Sequence, residues 1–424
     1  MKVEEKAIEI LKDPICDNCL GRSWAGLLSG YSNEERGKII RSFVAFLLDS
    51  DEKIDVYMNN FYDFKFRNLK VTLQKPEKCK ICKNFFHEKL EDKADEIIKK
   101  LNEIELDTFQ IGTIPSSEMA NEEEKLVDKI GGDFTEPIKT EINREIGKTI
   151  ERKTKKTFSA KNPDVTIILD LQNNRIKTEV RSLYIFGKYQ KLKRGIPQTK
   201  WVCPDCNGKG CIKCKGTGKL YKTSVQEEIE KNFLKAAESK KSKFHGAGRE
   251  DINARNLDWR PFVIELVKPN KRKIDLKKIE KIANKSKKVK IKNLKTVDKN
   301  LVNEIKFAKI DKTYAAEVVF SKNIDKKKLK ELKKLNKTAI MQQTPTRVVH
   351  RRANIIRKRM LKQISWRLIN KKKIIFKIKG ESGLYIKELI TGDEGRTKPN
   401  ISEILGNKVK KISLDVIKIH YKNI

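Results

Sequence analysis

The chain has 424 residues, 96 of them Lys or Arg and 57 Asp or Glu, for a formal charge of +39, and 38% of it is apolar. That length predicts two or three domains, and the apolar content excludes a disordered tail and allows cores without disulfide help. No run approaches the ~18 apolar residues of a membrane span, and the start, MKVEEKAIEILKD, is amphipathic and unlike a signal peptide; the chain is expected in the cytoplasm, bound to a polyanion, nucleic acid before any membrane.

In chain order, residues 1–94 are expected to form a helical metal-binding region, with a helix starting at Ser32-Asn33-Glu34-Glu35 and running to Leu48. Residues 95–195 read as an α/β domain. A helical pattern over 90–106 leads into it, a strand starts at Phe109, a charged helix spans 139–156, and β-branched residues 165–171 form a buried strand. Asn173-Asn174 then turns the chain into a returning strand over 175–184. Residues 196–222 are a Gly/Pro/Cys-rich junction. Residues 223–424 read as mixed strands and helices: a helix opened by the capping box Ser224–Glu227, strands at 260–267, 315–320 and 374–379, and a Lys-rich helix capped by Asp325. The fold class is therefore α+β.

Charge is uneven. Residues 88–141 hold 16 acidic and 7 basic side chains, whereas 268–299 hold 14 basic and 3 acidic ones, and 347–379 hold 13 basic and no acidic ones. The 268–299 run fits a solvated face as well as an RNA contact. In the 347–379 run, Arg347, Arg351 and Arg352 offer the forked donors that suit phosphate and are expected to bind RNA.

All eight cysteines fall in CxxC pairs, which in a cytosolic chain predict metal ligands before disulfides. Cys16, Cys19, Cys79 and Cys82 would give the closed thiolate shell of a structural zinc site. Cys203, Cys206, Cys211 and Cys214, in CPDCNGKG-CIKCKGTG, are a possible second metal site, and their pattern resembles the zinc-binding repeats of a chaperone family. There is no Walker A sequence and no GxGxxG after a strand, so ATP hydrolysis and a dinucleotide or methyl-donor Rossmann domain are not expected, and the four scattered His residues give a triad little to work with. Catalysis, if present, should rest on a carboxylate. His245-Gly246-Ala247-Gly248-Arg249-Glu250-Asp251 supplies one: Arg249 and Asp251 share a side of an extended chain, with Glu250 on the other, and the Arg would hold the Asp ionised.

Three longer motifs, GREDINARNLDWRPFVIEL (248–266), QQTPTRVVHRRA (342–353) and GLYIKELITGDEGRTKPNISEILG (383–406), resemble the archaeal tRNA pseudouridine synthases of the Pus-ten family, which act on uridines 54 and 55 of the TΨC arm. NPDVTIILDL (162–171) resembles a THUMP RNA-binding domain. The resemblance covers essentially the whole chain. It departs near Asp251, where Ile252-Asn253-Ala254-Arg255 and Asp258-Trp259 replace the usual DVDAR-x-L-G-x-G-RPF pattern.

The resemblance implies a pseudouridine-synthase-type mixed β-sheet over 223–424 and makes Asp251 the nucleophile or base, with Arg249 beside it. Tyr314 would stack on the target base. GLYIKEL, taken as an extended strand, would put Tyr385, Lys387 and Leu389 on one face, with Lys387 pairing to Asp251 and Leu389 forming a dry wall. No catalytic cofactor and no obligatory protein partner are expected, only structural zinc and tRNA. The competing reading is a non-catalytic zinc-containing tRNA-binding or chaperone protein.

Overall fold

The computed structural model describes residues 2–50 and 52–421, with the backbone alone of Arg351, and the chain divides into two compact units between Arg181 and Ser182.

In the first unit the Ser32 capping box forms as read: the Ser32 hydroxyl accepts from the Glu35 amide, the Glu35 carboxylate accepts from the Ser32 amide, and helix Asn33–Asp49 follows. A four-stranded sheet comprises β1 (Thr108–Ile114), β2 (Thr157–Phe158), β3 (Val165–Asp170) and β4 (Arg175–Val180), in the order β2-β1-β3-β4. β3 and β4 pair antiparallel across the Asn173-Asn174 turn, where Asn174 takes φ 49°. Helix Ile138–Lys153 turns Ile142, Ile146 and Ile150, one helical turn apart, into the core. The region 1–94 does not form a domain of its own. Its buried residues, such as Ala7, Leu20 and Val44, are continuous with Phe109 and Ile167 of the sheet in one core. The region closes against the sheet and its helices, and the Asn18 side chain is tied to Glu141 at 3.0 Å.

The expected boundary at 195 also moves. The returning strand ends at Val180, and β5 (Leu183–Lys191) belongs to the second unit, paired on both sides. Almost every β5 residue is buried, as an interior strand with two covered faces requires. The second unit is built on one mixed ten-stranded sheet. Its further strands are β6 (Lys241–Gly246), β7 (Arg255–Val267), β8 (Val289–Val297), β9 (Asp311–Phe320), β10 (Thr338–Gln343), β11 (Ile356–Asn370), β12 (Lys373–Gly380), β13 (Thr397–Lys398) and β14 (Val409–His420). They run in the order β13-β10-β11-β12-β9-β14-β7-β5-β8, with β6 on β7. The Lys-rich segment 268–299 folds as helix Leu276–Ala283 and β8, which bury Ile279, Ala283, Val289 and Ile291 and turn most of their charges outward. The basic segment 347–379 supplies most of the β11–β12 hairpin.

Candidate active site and metal-binding clusters

Asp251 lies in the loop between β6 and β7, and that loop is fastened along its length. Lys191, fully buried at the end of β5, donates to the carbonyls of Asp251 (3.1 Å) and Ile252 (2.9 Å). Arg194 donates to the Asn253 carbonyl and Gln198 to that of Gly248. Gly248 takes φ +75°, a left-handed backbone conformation that favours glycine.

The Asp251 carboxylate receives two cations. Arg347 Nη1 stands 2.9 Å from Oδ1, and Lys387 Nζ stands 3.2 Å from Oδ2. Burial pushes the carboxyl pKa up, but Arg347 and Lys387 outweigh it and hold the group below its usual range. The same guanidinium donates to buried Glu388 at 2.6 Å, so Arg347 bridges two carboxylates. Asp251, Arg347 and Lys387 line a cleft of about 700 Å³ together with Tyr314 and Tyr385. Tyr314 is placed on β9 by its partners Ile378 and Val416, and burial pushes its phenol up to about 12. The Tyr385 ring has the Arg347 guanidinium 5.9 Å from its centroid, and its hydroxyl accepts from Arg352 at 2.6 Å. A cation-lined cleft with two tyrosine rings and an ionised carboxylate can hold a planar base and attack or deprotonate a sugar carbon.

Several expectations are corrected here. Arg249 is exposed and, among the described residues, makes no ion pair with Asp251; the two positively charged partners come from distant segments. GLYIKEL is not a strand, because helix Ile386–Thr391 begins after Tyr385. Tyr385, Lys387 and Leu389 therefore do not share a face: Leu389 is fully buried in the core, and the apolar lining of the cleft includes Leu384, Ile252, Val348 and Leu414 instead. Arg347 is occupied by two carboxylates within the protein, not free for phosphate. Arg352 does line the cleft, and the side chain of Arg351 lies outside the described residues.

Glu250 does point away from Asp251, as alternation requires, but it is no idle neighbour. Its side chain is completely buried, 3.2 Å from the equally buried Arg260 guanidinium, and accepts from the Tyr189 hydroxyl at 2.9 Å. Glu250→Gln should keep the acceptor yet leave Arg260 uncompensated, at a cost of about 3–5 kcal/mol. The expected result in a thermal melt is a fall on the order of 10 °C; an unchanged melting temperature would mean that the pair carries no stability.

Residue reading missed Lys191, Arg260, Lys312 and Glu388. Two signals were available. Lys312 precedes Tyr314 by one strand period, and Glu388 is the one acid in GLYIKEL.

Both cysteine sets converge. Within each set the four Sγ atoms lie within 4.8 Å of one another. Individual separations are 3.5 Å for Cys16–Cys82, 3.9 Å for Cys203–Cys211 and 3.8 Å for Cys206–Cys214. Four sulfurs about 2.3 Å from one ion make tetrahedral edges of about 3.8 Å, so both donor sets fit a metal. The second set hangs from residues that reach the cleft, since Gln198 and Trp201 are among its lining.

A family model described as "Pus10, C-terminal" matches residues 184–420, and one described as "Pus10 THUMP domain, archaeal" matches residues 93–170. The chain is similar to the tRNA pseudouridine synthase Pus10 of Methanothrix thermoacetophila, 38% identical over 97% of this chain and 93% of that one. It is also similar to the tRNA pseudouridine synthase Pus10 of Methanocaldococcus jannaschii, 39% identical over 98% and 94% of the two chains. Among solved structures, a chain of a Cbf5-Nop10-Gar1 complex is 14% identical, covers 55% of this chain and 48% of its own, and has a TM-score of 0.29.

Proposed function

The chain belongs to the Pus10 family and is a tRNA pseudouridine synthase, and from that premise we propose that it isomerises uridine 54, uridine 55 or both in the TΨC arm, with Asp251 as the group that acts on the sugar. The observation that carries this reading is the Asp251 carboxylate, held ionised by Arg347 and Lys387 in a cleft that also contains Tyr314 and Tyr385. Asp251 acts as nucleophile at C1′ or as base at C2′; Lys387 and Arg347 orient it, and Tyr314 and Tyr385 offer rings to a uracil flipped out of the tRNA. The isomerisation is redox-neutral and consumes no other substrate, so these side chains suffice for it. The THUMP-like unit and the basic surfaces hold the tRNA backbone. Catalytic residues 223–424 thus work with β5 and the 196–222 junction as one unit. Among the described residues no helix is long and apolar enough to cross a membrane, and a tRNA enzyme of this kind works in the cytoplasm. The test is incubation with an unmodified tRNA transcript, no cofactor added, followed by pseudouridine mapping. Formation at 54 or 55 supports the reading, and its absence at both positions rejects it.

The metal in both cysteine sets is proposed to be zinc, in a structural role: four thiolates leave no open position for a reactant. Elemental analysis of the full chain should give about two zinc ions, falling to about one with Cys79→Ser/Cys82→Ser. That variant should also lose the folded first unit, because zinc binding is folding free energy there. A variant with unchanged metal content would remove the first site.

A further inference from the structure

Lys312 is a cation in the cleft that, among the described residues, has no carboxylate within ion-pair distance. It lies on β9, two residues before Tyr314, so both side chains leave one face of the strand, and both line the cleft. The residue is 7% exposed. Its Nζ uses one donor on the Ile310 carbonyl at 3.1 Å, and among the described residues no carboxylate lies within ion-pair distance. The nearby acids are engaged elsewhere, Asp311 by Lys362 and Glu250 by Arg260 and Tyr189. A second buried cation, Arg260, stands beside it: a Cβ on Gly248 would be 3.4 Å from Lys312 Nζ and 3.5 Å from Arg260 Nη1. Burial pushes the Lys312 amine down to about 8 and Arg260 pushes the same way, with Asp311 and Glu250 offsetting only part. An uncompensated buried charge is expensive, and a cleft wall is where an incoming ligand can supply the missing anion.

We propose that Lys312 is a catalytic cation of the isomerisation, donating a hydrogen bond to a carbonyl oxygen of the target uracil and stabilising the negative charge that the base carries once detached. This rests on the reading of Asp251 given above. When the N1–C1′ bond breaks, its electron pair leaves with the base and spreads over N1 and the carbonyl oxygens. C1′ is taken by the Asp251 carboxylate, or the C2′ proton is taken by it. The base turns, and a C5 electron pair forms the new bond to C1′. Asp251 is released, or returns its proton to C2′. C5 then loses its proton and N1 gains one, so the product is an isomer. Lys312 transfers no proton; it favours the charged base over the neutral one, which is what lowers a barrier. The base is its partner and not a phosphate, because Lys312 shares a strand face with the ring proposed to stack on the base and is almost wholly shielded from solvent, whereas the phosphates of a flipped nucleotide stay towards solvent.

The test uses the full chain, an unmodified tRNA transcript and saturating enzyme in single turnover. Lys312→Met should lower the saturating rate by roughly a hundredfold or more, keep tRNA affinity near normal, and melt no lower than wild type, since it removes an unpaired buried charge. Lys312→Arg, which restores a cation, should recover much of the rate. The proposal is overturned if Lys312→Met keeps its saturating rate. It is overturned likewise if only tRNA affinity falls, which would indicate a phosphate contact, or if both variants are equally slow and melt lower, which would indicate a structural lysine. A wild-type chain that forms no pseudouridine, or an Asp251→Asn variant that still forms it, would reject the underlying reading and this proposal with it. Failure of Lys312→Met alone leaves that reading standing.

Discussion

Asp251→Asn should abolish pseudouridine formation, by a factor on the order of 10³ or more in single turnover, while tRNA affinity stays near that of the wild type. Asn keeps the size and one acceptor oxygen but cannot attack C1′ or take a proton from C2′. Binding is spread over many basic side chains, so losing one carboxylate changes it little. Stability should change little as well. Arg347 keeps Glu388 at 2.6 Å, and Lys387 is partly exposed and can be solvated. If Asp251 served only to anchor those two cations, activity would fall only as far as melting temperature or affinity falls. Retention of more than a small fraction of the rate would place the chemistry elsewhere. Arg249→Ala is the informative contrast: without an ion pair to Asp251, its loss should leave the saturating rate within severalfold.

Arg347→Met should be the next most damaging change, and it should alter pH dependence as well as rate. The charge of Arg347 is, with that of Lys387, what holds the Asp251 carboxyl down against burial. In the wild type a depressed folded pKa means that Asp251 adds stability above its unfolded pKa of ~3.9, and this stability is lost as the pH falls through the lower folded value. Without Arg347, burial acts against Lys387 alone, so the Asp251 pKa rises and the acid limb of the rate profile moves to higher pH. Glu388, with a side chain 5% exposed, loses its partner at the same time; breaking a buried pair costs up to about 3–5 kcal/mol, and the partial exposure of Arg347 puts the expected loss at the lower end. Single-turnover rates measured between pH 4 and 8, with melts at each pH, check both effects. An acid limb that stays where the wild type has it would separate Arg347 from the titration of Asp251.

The parts of this molecule visible in the sequence were those set by local rules. The Ser32 and Ser224 caps, the Asn173-Asn174 turn, the buried strand at 165–170 and the paired cysteines each depend on neighbours within a few residues. Asp251 is read from its glycine-flanked segment and again from resemblance, Tyr314, Tyr385 and Lys387 from resemblance alone, and the four line one cleft. What escaped was set by distance along the chain. Arg347 lies 96 residues from the carboxylate it holds, and nothing local distinguishes it from Arg351 or Arg352 in a run of basic residues. The RED triplet suggested a neighbouring pair, whereas alternation in a constrained loop gave Glu250 a buried partner and left Arg249 in solvent. GLYIKEL alternates as a strand would, yet the chain enters a helix at Ile386 and carries Leu389 into the core.

The order of strands has a consequence for how the molecule is made. β14, latest of the strands in chain order, lies between β9 and β7 in the middle of the large sheet. Until Val409–His420 has left the ribosome, two half-sheets exist with no strand in common, one ending at β9 and the other at β7. Each exposes an unpaired edge of the kind that recruits other chains. The two sides of the cleft are divided in the same way. Asp251 leads into β7, whereas Tyr314 is on β9 and Arg347 and Lys387 follow in that second half. A nascent chain therefore carries its carboxylate and its cations on separate bodies, and a late strand with distant partners makes for slow closure. The reactive pair is assembled only once Val409–His420 is available to join the halves, so a chain truncated before residue 409 would remain an unsealed sheet with no working cleft, a natural substrate for quality control.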